Sequence, residues 1–147
     1  MTSTDKEQIR ETVAAVAELS DMKQWEKLEG LFVEKPYVDE EQLTKQLPGI
    51  TTVRGLIATW KKELSAYFYA TRRNINKMAI NLSRSRKNHA EVVADQKTSY
   101  FITDRGQRYV WEVAGTYTYK LVKRAGQWKI AQIHFNLKQQ YVRPLAV

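Results

Sequence analysis

The apolar residues of this chain change their spacing near Thr71, from a helical to an alternating pattern. Beyond that point, β-branched and aromatic residues alternate with polar ones along four long segments, 75–82, 90–103, 108–123 and 128–137. Such alternation is typical of β-strands with one buried face. Because only short polar segments separate the four strands, they are predicted to pair as an antiparallel meander.

Helices are predicted before the change of spacing. Thr4 and Glu7 have the spacing of a capping box at the start of the first helix. Ser20 and Asp21 can cap a short second helix. One side of that second helix carries Trp25, Leu28 and Phe32.

A third helix is predicted after Thr52, and it has the strongest apolar stripe of the chain. The stripe consists of Val53, Leu56, Ile57, Trp60, Leu64 and Phe68. The opposite side, which includes Glu63, is predicted to face water. Pro36 and Pro48 bracket the preceding segment 37–47, which is predicted to hold a short strand and an irregular loop.

Gly115 lies in the middle of the third long strand. A glycine there permits a bulge or a sharp bend, which would curl the sheet and leave room for a ligand pocket. Helices followed by an antiparallel meander indicate an α+β fold with the helices on one face of the sheet. With no linker or repeat in the sequence, residues 1–147 are predicted to form a single domain.

The composition excludes several kinds of site. The chain has no Cys, so a thiolate nucleophile, a disulfide framework and a Cys-ligated zinc are excluded. No His, Asp and Glu residues have metal-ligand spacing, and neither a metal nor a cofactor is expected. No run of roughly 18 apolar residues is present to span a membrane. The polar N-terminal sequence predicts a cytoplasmic location.

The net charge of +8 favours anionic ligands. Much of the excess lies at Arg72 and Arg73 and in the basic run 84–87. That run is at a predicted hairpin tip and has no interleaved aromatic residues, which argues against nucleic-acid binding.

Several ordered motifs resemble those of a known family. They are Leu19-Ser20-Asp21 with Trp25, Leu31-Phe32 with Val38-Asp39, Trp60, Gly115-Thr116-Tyr117 in the run 110–122, and Gly126-Gln127-Trp128-Lys129-Ile130. In this order they resemble the SnoaL-like family of the nuclear-transport-factor-2-like superfamily, over roughly residues 9–141. The resemblance implies a cystatin-like α+β cone, with three N-terminal helices packed on a strongly curved antiparallel sheet around a deep pocket.

The same resemblance implies dimers formed through the outer face of the sheet. The functions of this superfamily are diverse and include polyketide cyclases, ketosteroid isomerases, dehydratases and non-catalytic domains. Two functions therefore remain open. One is a cofactor-independent lyase or isomerase acting on a hydrophobic carbonyl compound, and the other is a non-catalytic module that binds a small molecule or a protein.

Two neighbouring acids are the candidate proton-transfer residues. Asp39 falls where relatives often place a polar pocket residue, and Glu40 is the alternative, because the sequence leaves open which of the two faces inward. Burial would raise the pKa of either carboxyl and suit it to general acid-base catalysis. The competing interpretation is that both lie on an exposed acidic loop.

Arg73, followed by Asn74, stands where many relatives carry a His. An Arg cannot exchange protons at neutral pH, but it can bind a carboxylate, an enolate or a phosphate. The alternative for Arg73 is an exposed strand end. Asp21 matches an acid that contacts the substrate in some relatives, although capping a helix would also explain it.

Aromatic residues on the strands and the third helix are candidate ligand contacts. They are Trp60, Tyr100, Trp111, Tyr117 and Tyr119, of which Tyr119 is the candidate to stabilise charge on a carbonyl oxygen through its hydroxyl. Packing of these rings in the core is the alternative.

His134 is a further ligand-binding candidate in the last strand. Strict alternation, however, puts it on the outer face with Trp128 and Ile130, where it could contact a second subunit.

Overall fold

Four helices and six strands follow one another in the computed structural model, which describes residues 4–145. The helices are α1 Asp5–Asp21, α2 Trp25–Glu29, α3 Glu41–Thr44 and α4 Val53–Tyr67. The strands are β1 Phe32–Asp39, β2 Gly49–Ile50, β3 Ala70–Leu82, β4 His89–Asp104, β5 Gln107–Arg124 and β6 Gln127–Pro144.

All six strands form one sheet in the order β2-β1-β6-β5-β4-β3. Strands β3 to β6 pair antiparallel with their chain neighbours, which confirms the predicted meander. Strand β1 joins the other side of β6 in the parallel direction. The α+β fold with a curved sheet is therefore confirmed.

The predicted helix starts agree with the structure at two positions. The Thr4 side chain accepts a hydrogen bond from the Glu7 amide, and the Glu7 carboxylate accepts one from the Thr4 amide, as a capping box requires. Thr52 caps α4 by accepting from the Gly55 amide at 3.0 Å. Both caps satisfy amide groups that have no partner inside the helix.

The second helix differs from its prediction. Phe32 does not belong to it but opens β1, where its main chain pairs with Ile130 of β6. Asp21 does not cap α2 either, because it is the last residue of α1 and the cap position of α2 is Gln24. Helix α3, which the sequence did not predict, turns the chain directly after β1.

The main hydrophobic core lies between the helices and the inner face of the sheet. Ile9 and Val13 of α1 are fully buried there, together with Leu28 of α2 and Ile130 of β6. Helix α1 packs mainly on β3, and α2 packs on both α1 and α4. This packing leaves the inner surface of the central strands facing the helices.

Two irregularities in β5 and β6 shape the sheet. At Gly115 the register shifts, and a Cβ atom there would lie 2.5 Å from the Asn136 carbonyl oxygen and from the Phe135 ring. Only glycine allows so close an approach, which explains why a glycine stands in the middle of this strand.

The second irregularity leaves Ala131 without a register partner, because Leu121 pairs with Ile130 and Lys120 with Gln132. A bulge of this kind reverses the alternation of side chains. Trp128 and Ile130 are therefore buried, at 5% and 0% exposure. The prediction that they lie on the outer face is wrong.

Within residues 4–145, the structure contains no helix of the length and hydrophobicity needed to cross a membrane.

Candidate functional site

A cavity of about 240 Å³ opens between α1, α3 and α4 and the inner face of the sheet. This volume is somewhat below the range of about 300–1,000 Å³ that is common for drug-sized ligands, so a compact ligand suits it. Apolar and aromatic side chains form most of the wall. The polar groups that reach the cavity include Glu40, Arg73, Gln96, Tyr100, Tyr117 and Tyr119.

Of the two neighbouring acids Asp39 and Glu40, Glu40 is the one that lines the cavity. It lies directly after β1 and before α3, so the turn between these elements carries its side chain inward. The Trp60 indole NH donates to one carboxylate oxygen at 3.1 Å, and the Tyr117 hydroxyl donates to the other at 3.2 Å. These two donors hold the carboxylate in a defined orientation.

The surroundings of Glu40 make its carboxyl group unusually basic. Burial raises its pKa, and the hydrogen bonds from Trp60 and Tyr117 and the charge of Arg73 oppose this rise without cancelling it. The nearby carboxylate of Glu63 raises the pKa further. A carboxyl group in this condition can take up and release a proton nearer to neutral pH than an exposed one.

Asp39 points to the other side of the sheet. Its carboxylate lies 2.8 Å from His134 Nδ1, and its main chain pairs with the same histidine in the register between β1 and β6. Neighbouring residues of an extended strand face opposite sides, so Asp39 does not line the cavity that Glu40 lines. Because Glu40 lines the cavity, the interpretation that it lies on an exposed acidic loop is wrong.

Arg73 and Asp21 form an ion pair at the cavity wall. Arg73 Nη1 lies 2.5 Å from Asp21 Oδ1, and the Arg73 amide donates to Asp21 Oδ2 at 2.7 Å. The Thr71 hydroxyl also donates to Asp21, at 2.8 Å. The side chain of Arg73 is only 13% exposed, so it does not lie at an exposed strand end. The side chain of Asp21 is 22% exposed and binds Arg73, so it does not act as a helix cap.

The guanidinium of Arg73 stays charged in this position. Burial alone would lower its pKa, but the Tyr100 phenol and the Asp21 carboxylate raise it above its usual value. The cavity therefore contains a permanent positive charge.

Three tyrosines supply phenol groups to the cavity. Burial raises the pKa of Tyr100, Tyr117 and Tyr119, so all three remain protonated and can donate hydrogen bonds. The rings of Tyr117 and Tyr119 stack at 5.6 Å, and Tyr100 stacks on Trp111 at 4.9 Å. The same side chains thus pack against neighbouring rings and line the cavity.

Comparison with known proteins places the chain in a family. The sequence matches a family model described as SnoaL-like domain over residues 1–134. The chain belongs to the SnoaL-like domain family. No curated protein matches the sequence of this SnoaL-like chain.

Solved structures with this fold include members of the nuclear-transport-factor-2-like superfamily. The Kfla4162 protein from Kribbella flavida is 19% identical, with a TM-score of 0.84 and 93% of each chain covered. A proposed scytalone dehydratase from Novosphingobium aromaticivorans is 19% identical, with a TM-score of 0.76 over 97% of this chain and 89% of its own. A nuclear-transport-factor-2-like superfamily protein from Salmonella enterica is 16% identical, with a TM-score of 0.74 and 91% of each chain covered. At these identities the similarity shows a shared fold.

The SnoaL-like chain brings most of the sequence-predicted site residues to the cavity. Its wall contains Glu40, Trp60, Arg73, Tyr100, Trp111, Tyr117 and Tyr119. Asp21 contacts the cavity residue Arg73, whereas Asn74 is exposed on β3. Asp39 and His134 lie together on the outer side, where His134 was predicted to be.

Sequence reasoning missed several polar residues of the cavity, among them Glu63 and Gln96. Glu63 lines it, so the prediction that Glu63 faces water is wrong. It lies three residues after Trp60, a spacing that puts the two on neighbouring positions of one helix face and could have revealed it. Gln96 is also buried, and it donates to Thr98 at 3.1 Å. Gln96 alternates with Ala94 and Thr98 along β4, and this spacing could have indicated that it faces the inside.

Among residues 4–145 there is no cluster of three His, Asp or Glu side chains able to hold a metal ion.

Proposed function

We propose that this SnoaL-like domain is an enzyme that moves a proton on a small hydrophobic carbonyl compound, as a cofactor-independent lyase or isomerase. The observation that carries this proposal is the Glu40 carboxyl group, oriented by Trp60 and Tyr117 in a largely apolar cavity and with a raised pKa. Perturbed carboxyl groups in a concave site are typical of acid-base catalysts. The structural neighbour described as a proposed scytalone dehydratase would, as a dehydratase, be a lyase, which is consistent with this class.

In the proposed reaction, Glu40 removes a proton from a carbon atom next to the carbonyl group. The electron pair of the broken C–H bond forms a C=C bond, and the π pair of the carbonyl group moves onto its oxygen, so that the ligand becomes an enolate. The Tyr119 phenol and the Arg73 cation hold the ligand's oxygens and stabilise the negative charge. Glu40 then returns the proton to another carbon in an isomerisation, or to a leaving group in an elimination.

The outer-face residues are poor candidates for these steps. Asp39 and His134 contact each other on the side of the sheet away from the cavity. A general base must come within hydrogen-bond distance of the proton that it removes. The catalytic role predicted for Asp39 therefore passes to Glu40.

Deuterium exchange tests the proposal directly. Cyclic aryl ketones such as 2-tetralone are first screened for binding by thermal shift, and each binder is then incubated with the protein in D₂O. NMR measures the rate at which deuterium replaces hydrogen next to the carbonyl group. We expect the wild-type protein to accelerate exchange and Glu40→Gln to slow it by roughly 100-fold to 10,000-fold.

The matched control is Asp39→Asn, which changes the neighbouring carboxylate on the outer face. It should keep the wild-type exchange rate. Equal exchange rates for wild type and Glu40→Gln would refute the role of Glu40.

The second candidate function is a non-catalytic module that binds a small molecule. One observation favours it. The positively charged residue of the cavity wall is Arg73, and an arginine cannot exchange protons at neutral pH. A ketone that binds in the cavity and exchanges no faster than in buffer would support this function over the enzyme.

We also propose, from the resemblance, that two copies pair through the outer face of the sheet in the cytoplasm. That face carries polar pairs such as Asp95 with Lys138 and Asp39 with His134. Light scattering coupled to size exclusion measures the mass in solution. A monomer at all accessible concentrations would refute the pairing.

A further inference from the structure

The guanidinium group of Arg73 has an edge that no part of the described chain occupies. Nη1 donates to Asp21 and to Thr71, whereas no described residue accepts a hydrogen bond from Nε or Nη2. Within residues 4–145, no fully enclosed side-chain nitrogen or oxygen lacks a partner. Nε and Nη2 are therefore not fully enclosed, and Arg73 is one of the residues that line the cavity.

This open edge carries two parallel N–H donors and a permanent charge. A carboxylate matches such an edge with two acceptor oxygens, while a ketone offers a single oxygen. We infer that the ligand carries a carboxylate, which the Nε and Nη2 edge of Arg73 binds through two parallel hydrogen bonds. The inference rests on the proposed function only in taking the same cavity as the ligand site.

The neighbours of Arg73 indicate what the rest of the ligand is. The guanidinium lies 5.9 Å from the centre of the Tyr100 ring, which in turn packs against Phe68 at 4.8 Å and Trp111 at 4.9 Å. Flat aromatic walls of this kind favour a flat apolar body through ring packing. The ligand class is therefore a small, hydrophobic, aromatic carboxylic acid, whose approach the net charge of +8 assists.

Asp21 orients the open edge without occupying it. Its two oxygens accept from the Thr71 hydroxyl, from the Arg73 amide and from Arg73 Nη1. Because three donors share the carboxylate of Asp21, the guanidinium is held in place with its remaining donors directed away from that carboxylate. This arrangement prepares Arg73 for a second carboxylate.

A bound carboxylate would also act on Glu40. The charged and titratable groups that act on Glu40 or share its cavity are Glu63 and Tyr67 of α4, Arg73 of β3, Tyr100 of β4, and Tyr117 and Tyr119 of β5. Asp21 of α1 pairs with Arg73 beside them. A further negative charge among them favours the protonated form of Glu40. The affinity for an acid should therefore fall as pH rises through the range in which Glu40 ionises.

Pairs of acids and their neutral amides test the inference. Phenylacetate, cinnamate and 2-naphthoate are each compared with the corresponding amide by calorimetry or by NMR titration. We expect at least one acid to bind roughly 10-fold to 100-fold more tightly than its amide, as hydrogen bonds to charged groups imply. If no acid binds more tightly than its amide, the inference is overturned.

Variants then locate the preference. The double variant Asp21→Asn with Arg73→Gln removes both members of the ion pair, so no buried charge is left alone, and it should lose the preference for the acid while still binding the amide. Arg72→Gln, which removes an exposed positive charge and leaves the ion pair intact, should keep the preference. A preference that survives in the double variant would overturn the inference.

The pH dependence separates this inference from the proposed function. As pH rises above the usual glutamate pKa, the affinity of wild type for the acid should fall, and that of Glu40→Gln should fall less, because Glu63 still ionises at the cavity. A level affinity in wild type would contradict binding beside Glu40. Because these measurements need no turnover, the acid preference can stand when the exchange assay fails, and the exchange assay can succeed when the preference is absent.

Discussion

The inner and outer faces of the sheet each hold a glutamate away from bulk water, and the two faces treat it differently. On the inner face, Glu40 accepts from neutral donors in a cavity, and burial raises its pKa. On the outer face, Glu112 contacts the Tyr141 hydroxyl, Lys97 and Arg143, and these partners lower its pKa. The pKa of a glutamate is therefore raised on one face and lowered on the other, because the neighbouring groups differ.

The contrast between Asp39 and Glu40 has the same origin. They are adjacent in the chain, yet Asp39 lies 2.8 Å from a half-exposed histidine while Glu40 lies between Trp60 and Tyr117. Reactivity therefore depends on which face of the sheet a side chain reaches.

Among the further comparisons of the two faces, that of two tyrosines should give the largest effect. Tyr119→Phe removes a phenol donor from the cavity and should slow ketone exchange roughly 100-fold to 1,000-fold, as loss of an oxyanion donor does. Tyr141→Phe removes a phenol from the outer face, where that hydroxyl contacts Glu112, and should leave the exchange rate unchanged. Equal losses in the two variants would break the contrast between the faces.

Gly115→Ala tests the close approach that shapes the sheet between the faces. The added methyl group would meet the Asn136 carbonyl and the Phe135 ring at 2.5 Å. We expect a loss of about 1–3 kcal/mol in the free energy of unfolding, measured by urea denaturation. Gly49→Ala is the control, since a Cβ at Gly49 meets no atom within 4 Å.

The pH dependence of stability should have opposite signs on the two faces. The folded-state pKa of Glu40 is raised, so wild type loses stability as pH rises from the unfolded value through the folded one, and Glu40→Gln should become more stable relative to wild type. The folded-state pKa of Glu112 is lowered, so its stabilisation is present above the unfolded value and is lost as pH falls.

Glu112→Gln should therefore destabilise the protein at neutral pH, and this difference from wild type should shrink in acid. In each case the free energy of unfolding changes by at most about 1.4 kcal/mol per pH unit, because a single proton is bound or released. Urea denaturation at several pH values measures both variants. Parallel trends would show that the two carboxyl groups have similar surroundings.

The smallest effect is expected for the outer pair of Asp39 and His134. The side chain of His134 is 47% exposed, so solvent screens the interaction. Asp39→Asn should change the free energy of unfolding by no more than about 1 kcal/mol. A larger loss in thermal or urea unfolding would mean that the pair has a structural role that its exposure does not suggest.

Local patterns predicted much of the fold. The capping box at Thr4, the cap at Thr52 and the alternation of the four long strands depend on residues close together in the chain. The site was predicted less completely. Glu63 was placed in water, and the choice between Asp39 and Glu40 stayed open, since both depend on elements that are distant in sequence.

The sequence by itself determined helices α1 and α4 and the four long strands, and it indicated Gly115 as a point of distortion, because hydrophobic spacing and glycine act locally. Tertiary structure alone decided that Ile130 turns inward past the bulge at Ala131 and that Asp21 holds Arg73 instead of capping a helix. Pairing between strands and burial against helices decide such orientations. The pKa of Glu40 follows from that same enclosure.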